Sequence, residues 1–428
     1  VVRKLTPGMD WLRQPAKIYC VVAFFLPVAA GLSLMGRERV KRSSYVVGVA
    51  LAAWLAIEYI PQTRPTICML PPAQGAYAAV RADADAQGRE PHAVVLPLWP
   101  GDSAWASLYE YYASLYRIRM VNGYRPFIPP HYYEDVFETL GGMNCGYIDA
   151  PTLATLSEFK VEYIIFHEDA FPEKVCPFPV RFALDQLLAS GALELLSRDR
   201  SIWAFRVRKE LAAAPPLRVP GAEGSLVHFP SRHWDFAHQL AGGGERIELA
   251  EGGRAARMTP GSRAMLPYVN AWGADMATVT VRVKGKGTLR AELADYHCEL
   301  PVAADDWQWV DLPLPAEPLG GEMMIRGVAG DVMVSMGFLA AGPWRELLAR
   351  PTFELPASWF YHAGYMDAAC HQVRFRRDWE PDGRIWYGLG LPLAAGRYEF
   401  ALSYASAAAD GTNLGQFRCT QGQDAVVA

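Results

Sequence analysis

The side chains best suited to chemistry fall between residues 83 and 167, with a separate aromatic group further along. Glu110, Tyr111 and Tyr112 are followed by Asn122, Tyr124 and Arg125. Tyrosine and asparagine in such a group would stack on and hydrogen-bond a sugar ring, and Arg125 would pair with a phosphate. The same residues equally suit a structural role, capping a helix over Ser103–Arg117 and ordering the Pro126–Pro130 turn. Asp83-Ala84-Asp85 has the D-x-D form in which sugar-nucleotide transferases hold a metal, but it sits at a polar helix end before Gly88 and reads as solvated surface. His167 ends an apolar run and precedes Glu168 and Asp169, so it is either a poised base or a histidine capping a strand edge. In Trp307–Leu314, strand alternation sends Val310, Leu312 and Leu314 to one face and Trp309 to the other. Trp272 and Tyr268 could join Trp309 in a glycan-stacking platform. Trp309 could instead pack against a neighbouring domain.

Several chemistries find no support. No P-loop or dinucleotide fingerprint opens a helix, and Gly242-Gly243-Gly244 lies between β-like segments as a turn. Ser, His and Asp are scattered without a nucleophile elbow. No cofactor or metal site is readable. The net charge of −4 and the absence of a basic patch in the later domains argue against nucleic acid. The seven cysteines show no C-x-x-C pair, although Cys145 and Cys176 belong to one small domain and could pair in an oxidising compartment.

The elements that must position these residues begin with two apolar runs, Tyr19–Met35 and Tyr45–Ile60, around a loop bearing Arg37, Arg39, Lys41 and Arg42. Each run is near the lower length that spans a bilayer as a helix, and neither carries the polar stripe of a helix lying on a soluble core. Lys17 and Arg37 can snorkel, and Tyr19, Tyr45 and Tyr59 suit the interface. Residues 1–60 are therefore expected to form an interfacial segment and a transmembrane helical hairpin, the alternative being a buried hairpin of a soluble protein. With the basic loop cytoplasmic, residues 61–428 are placed outside the cytoplasm. Two spans are few for a membrane catalyst, so the chain is expected to be the carboxyl-terminal part of something longer. The fold expected overall is multidomain. A Pro-rich linker (61–74) leads to an α/β domain (75–210), then to a β-sandwich (222–343) and a second, jelly-roll-like β-sandwich module (350–428) that stops without an obvious closing strand. The alternation of Ala277–Val283, Thr288–Leu293, Met323–Val328, Val332–Leu339 and Arg397–Tyr404 carries the β reading.

A resemblance enters along this path. The segments Val94-Val95-Leu96-Pro97, Tyr109-Glu110-Tyr111-Tyr112, Val121-Asn122-Gly123-Tyr124, Phe127-Ile128-Pro129-Pro130, Phe159–Ile165 and Gly191–Leu195 follow the apolar spans in order. Over about residues 5–208 the chain resembles the last two membrane helices and the extracytoplasmic domain of bacterial multispanning glycosyltransferases of the C-type fold. The resemblance implies a place in the bacterial inner membrane, contact with membrane lipid, a polyprenyl-phosphate sugar donor, and a glycan, lipid or protein acceptor. In that family the catalytic acidic residue lies in the first outer loop, which has no counterpart here, so the chemistry is expected upstream of Val1. The rival expectation is a non-catalytic, membrane-anchored carbohydrate-binding or envelope scaffold protein.

Overall fold

The computed structural model describes residues 70–99, 103–123, 129–171, 175–176, 179–208, 227–228, 236–250, 253–266, 278–293, 295–313, 323–340, 344–367, 372–375, 385–388, 391, 393, 396–417, 420–421 and 425–426. The expected membrane hairpin lies outside the described residues, as do Tyr124, Arg125, Tyr268 and Trp272. No helix among the described residues is long and apolar enough to cross a membrane.

The α/β domain runs α1 (Gly75–Ala86), β1 (His92–Leu96), α2 (Ala104–Tyr116), β2 (Arg119–Met120), α3 (Ala150–Glu158), β3 (Tyr163–His167), α4 (Val180–Ala189), β4 (Leu193–Asp199) and β5 (Ile202–Val207). Side-chain caps set three of the helix starts. Gln74 Oε1 accepts from the Ala76 and Tyr77 amides, Ser103 Oγ accepts from Trp105, and Asp149 Oδ1 accepts from Thr152. The strands lie in the order β2-β1-β3-β5-β4, with β1, β2 and β3 parallel and the β4–β5 hairpin antiparallel on β3. Parallel strands covered on both faces read as unbroken apolar runs, which Val94-Val95-Leu96 and Ile164-Ile165-Phe166 do. From β1 the chain crosses to β2 on one side, and the next crossover places β3 on the other. Right-handed crossovers of opposite direction put α2 and α3 on opposite faces. Tyr77, Val80, Tyr109 and Tyr112 accordingly pack with Ala93, Val95, Tyr163 and Ile165. On the other face Leu153, Leu156, Phe182 and Leu187 pack with Val94, Leu96, Ile164 and Phe166.

The second part is β-rich: β6 (Val227–His228), the helical turn α5 (Phe236–Gln239), β7 (Leu240–Ala241), β8 (Glu245–Glu248), β9 (Arg254–Met258), β10 (Arg263–Leu266), β11 (Thr278–Leu293), β12 (Tyr296–Pro313) and β13 (Met323–Ala340). Its eight strands form one antiparallel network in which β11 lies between β12 and β13, while β10, β9 and β6 share the other edge of β13. Alternation buries Val279, Val281, Val283, Val302, Leu312, Ile325, Val332 and Val334. The opposite face carries cross-strand ion pairs, including Lys286–Asp305 at 3.2 Å and Arg290–Glu299 at 2.5 Å. The sequence divides β11 and β13 into shorter pieces at their glycines, whereas the structure runs through them. Gly285, at φ 122°, sits where a Cβ would meet the Asp331 carbonyl at 2.3 Å. Glycine there lets the two strands stay paired across a bulge.

After β13 come α6 (Trp344–Leu348) and, in 350–428, three two-stranded ribbons: β14 (Tyr361–His362) with β17 (Trp386–Tyr387), β15 (Tyr365–Asp367) with β16 (Gln372–Arg374), and β18 (Thr420–Gln421) with β19 (Ala425–Val426). The alternating run Arg397–Tyr404 has no strand partner among the described residues, and Phe400, Leu402 and Tyr404 are exposed. Residues 357–367 instead return to the α/β domain. Met366 donates its N–H to Glu168 Oε1 at 2.6 Å, its carbonyl accepts from Arg198, and its sulfur lies 2.9 Å from Arg181 Nη1. Tyr361 donates to the Cys176 carbonyl at 3.3 Å.

Candidate functional site

Doubly wound sheets usually offer a ligand the crevice beyond the carboxyl ends of the strands where strand order reverses. Here that position lies between β1 and β3. Just past the end of β1, the Asn144 amide accepts from the Leu98 N–H at 2.6 Å and donates to the Leu98 carbonyl at 3.0 Å. His167, the last residue of β3, is fully buried, its Nε2 2.9 Å from the Tyr77 hydroxyl and its ring 4.6 Å from that of Tyr109. Burial lowers its pKa to about 3, so the imidazole is neutral and enclosed rather than a base poised toward solvent.

One strand further out lies a cleft of about 690 Å³ along β2. Helix α2 contributes Glu110, Ala113 and Ser114, and its last turn is closed by Arg117 in the left-handed conformation at φ 52°. Ile118, Met120, Val121 and Val136 give the cleft an apolar lining, and His131 and Tyr132 line it too. Among the described residues the side chains of Ser114, Arg117 and His131 take part in no hydrogen bond or ion pair, whereas Arg119 is held by Glu90 at 2.9 Å. The cleft therefore offers a hydroxyl, a guanidinium and an imidazole beside apolar surface. Such a mixture fits a polyol with an anionic group.

Glu110 and Asn122, singled out from the sequence, both line this cleft. The Glu110 carboxylate lies over Gly123, where a Cβ would be 2.8 Å from Oε1. Asn122 is buried and already committed: its amide accepts from the Val95 N–H at 2.9 Å and donates to the Val95 carbonyl at 2.7 Å, continuing the β1–β2 pairing through a side chain. It shapes the cleft and has little left for a ligand. Tyr111 is 41% exposed and turned against Tyr112, off the cleft wall. Ser114, Arg117 and His131 escape sequence reading because serine in a helix, arginine at a helix end and histidine after Pro129-Pro130 all have ordinary local explanations.

The D-x-D residues split apart. Asp83 holds Arg206 of β5 and accepts from Tyr163 at 2.8 Å, so it is a helix-to-sheet clamp rather than solvated surface. The Arg206 hydrogen bond keeps its carboxyl below the usual range. Asp85 pairs with Arg81 on the exposed side of α1. Among the described residues no cluster of His, Cys, Asp and Glu could hold a metal.

On the second sheet, Trp309 lies opposite Arg282 and away from the buried Leu312 face, and both Trp307 and Trp309 are half-buried. The Arg282 guanidinium stands 4.7 Å over the Trp307 ring. Arg345 of α6 binds Asp311 and reaches the Trp309 carbonyl at 3.3 Å, so the segment after the sheet folds back beside this tryptophan. Aromatic surface and the end of the sheet are thus fixed together.

No protein-family model and no curated protein matches the sequence. Among solved structures the chain is similar to the C-terminal CBM6 of LamC, a marine laminarinase from Zobellia galactanivorans. That match has 14% identity and a TM-score of 0.22, and it covers 27% of this chain and 99% of the other. It is also similar to CsCBM6-3 from Clostridium stercorarium, solved with cellobiose, at 16% identity and a TM-score of 0.21 over 24% of this chain and 86% of the other. A carbohydrate-binding module of Cellvibrio mixtus lichenase 5A, solved with cellotriose, matches at 16% identity and a TM-score of 0.22 over 26% and 96%. Likeness at this level assigns no ligand to this chain.

Proposed function

We propose that this chain binds carbohydrate outside the cytoplasm as the carboxyl-terminal portion of a bacterial inner-membrane glycosyltransferase. The parent enzyme would pass a sugar from a polyprenyl-phosphate donor to an envelope glycan, lipid or protein acceptor. The observation that carries the reading is the β2 cleft, where the Arg117 guanidinium, His131 and Ser114 stand beside an apolar lining and the Glu110 carboxylate. A sugar phosphate needs a cation for its phosphate, polar partners for its hydroxyls and apolar surface for its C–H face. All three are present within one concavity.

The test is calorimetric titration of the full chain with a sugar monophosphate and with the matching neutral sugar. The phosphate form is expected to bind the tighter of the two. Arg117→Ala is expected to weaken it by at least about tenfold, the worth of one hydrogen bond to a charged group, without changing affinity for the neutral sugar. Equal affinity of wild type and Arg117→Ala for the sugar phosphate would remove the cleft from the reading. The scaffold reading makes the opposite demand: glycan capture lost on Trp309→Ala and untouched by changes at Arg117.

A further inference from the structure

We propose that Cys145 and Cys176 are joined as a disulfide in the mature protein. Their sulfurs lie 3.9 Å apart, and both side chains are buried, at 4% and 0% exposure. Each belongs to a fixed piece of the α/β domain. Cys145 ends the short helical turn Gly141–Cys145, and Cys176 stands ahead of α4 with its carbonyl held by Tyr361. A bond requires the sulfurs to close from 3.9 Å to about 2.05 Å. Of the described cysteines the third, Cys298, is on β12 in the other sheet, so no other described cysteine stands beside the pair.

The neighbouring thiol and burial both push the Cys145 thiol up, away from the thiolate form that reacts. Oxidation therefore belongs to the folding chain, before this core closes. The balance is ordinary thiol–disulfide exchange. One cysteine thiolate attacks the disulfide of an extracytoplasmic dithiol oxidoreductase to give a mixed disulfide and release one of its thiols. The second cysteine then displaces the other. Two cysteines lose two protons and two electrons, and the oxidant's disulfide becomes a dithiol. The closed loop holds α3 and β3, and it fixes the segment on which residues 357–367 rest.

The full chain, produced with export from the cytoplasm, is denatured without reductant in excess maleimide and digested. The expected result is one linked peptide pair containing Cys145 and Cys176, with neither residue carrying maleimide. A second sample, made in the cytoplasm and refolded with oxidised glutathione, is expected to give the same linked pair. Its urea midpoint should fall on adding reductant, whereas that of the Cys145→Ser/Cys176→Ser double variant should not respond. Maleimide on both cysteines in both samples, or Cys176 linked to a different cysteine, overturns the proposal. Sugar-phosphate affinity at the β2 cleft is a separate readout and bears on neither outcome.

Discussion

Replacing Glu168 with glutamine should change stability by an amount that depends on pH in a calculable way. Glu168 is 2% exposed and takes hydrogen bonds from Met366, Arg198 and Trp203. Burial nevertheless outweighs these donors and raises its pKa from 4.5 to about 7. A carboxyl raised in the folded state weakens the fold as pH climbs from the unfolded value to the folded one. At about 1.4 kcal/mol per pH unit, this amounts to about 3 kcal/mol lost between pH 4.5 and pH 7. Glutamine cannot ionise, so the stability of Glu168→Gln relative to wild type should improve by about 3 kcal/mol between pH 4.5 and pH 8. Asp185, raised to about 6, acts in the same direction from pH 3.8 to 6. His167 and His362, lowered from 6.5 to about 3 and about 4, act against it, because each must pick up a proton on unfolding below pH 6.5. Between pH 4.5 and 6 these four groups cancel, so wild type should be nearly flat there and Glu168→Gln should lose stability on acidification. The assay is hydrogen-exchange protection of the β3 amides, corrected for intrinsic exchange, in both proteins at pH 4.5, 6 and 8. A difference between them that stays constant across the three values would refute the reasoning.

Three further outcomes follow from the geometry. Asn122→Ala strands the Val95 N–H and carbonyl in the core and should cost about 2–4 kcal/mol in urea denaturation; Arg117→Ala, on the exposed rim, should move the same midpoint hardly at all. Asp83→Asn should cost about 1–2 kcal/mol at pH 7. Because the Asp83 carboxyl is held below 3.8, that cost should shrink as pH falls through the lowered value, which thermal melts at pH 7 and 2.5 would show. Gly123→Ala places a methyl group 2.8 Å from Glu110 Oε1 and should displace that carboxylate, with sugar-phosphate affinity in calorimetry as the readout.

Much of the α/β domain is legible in the sequence because its signals are local. Buried parallel strands show as apolar runs, and the helix read over Ser103–Arg117 does start at Ser103, its N-cap, whereas the helix that Asp149 caps goes unread. The alternation that puts Trp309 opposite the Leu312 face also survives folding. What stays hidden depends on contacts distant in sequence. Asp83 reads as solvent-facing until Arg206 arrives from β5, and nothing near residue 366 announces that it will be gripped by Glu168 and Arg198. The candidate site divides in the same way. Glu110 and Asn122 are recognisable as residue types, but only the sheet shows that Asn122 is used up in bridging to Val95.

The grip on Met366 makes the eight-stranded sheet an excursion of the chain: the polypeptide leaves the α/β domain after residue 208 and comes back to it at residues 357–367. A protease nick between residues 209 and 226 should consequently leave the two fragments migrating together until the Glu168–Met366 contact is unfastened. A mechanical pull on the tail would load that fastening before it reached the strands beneath.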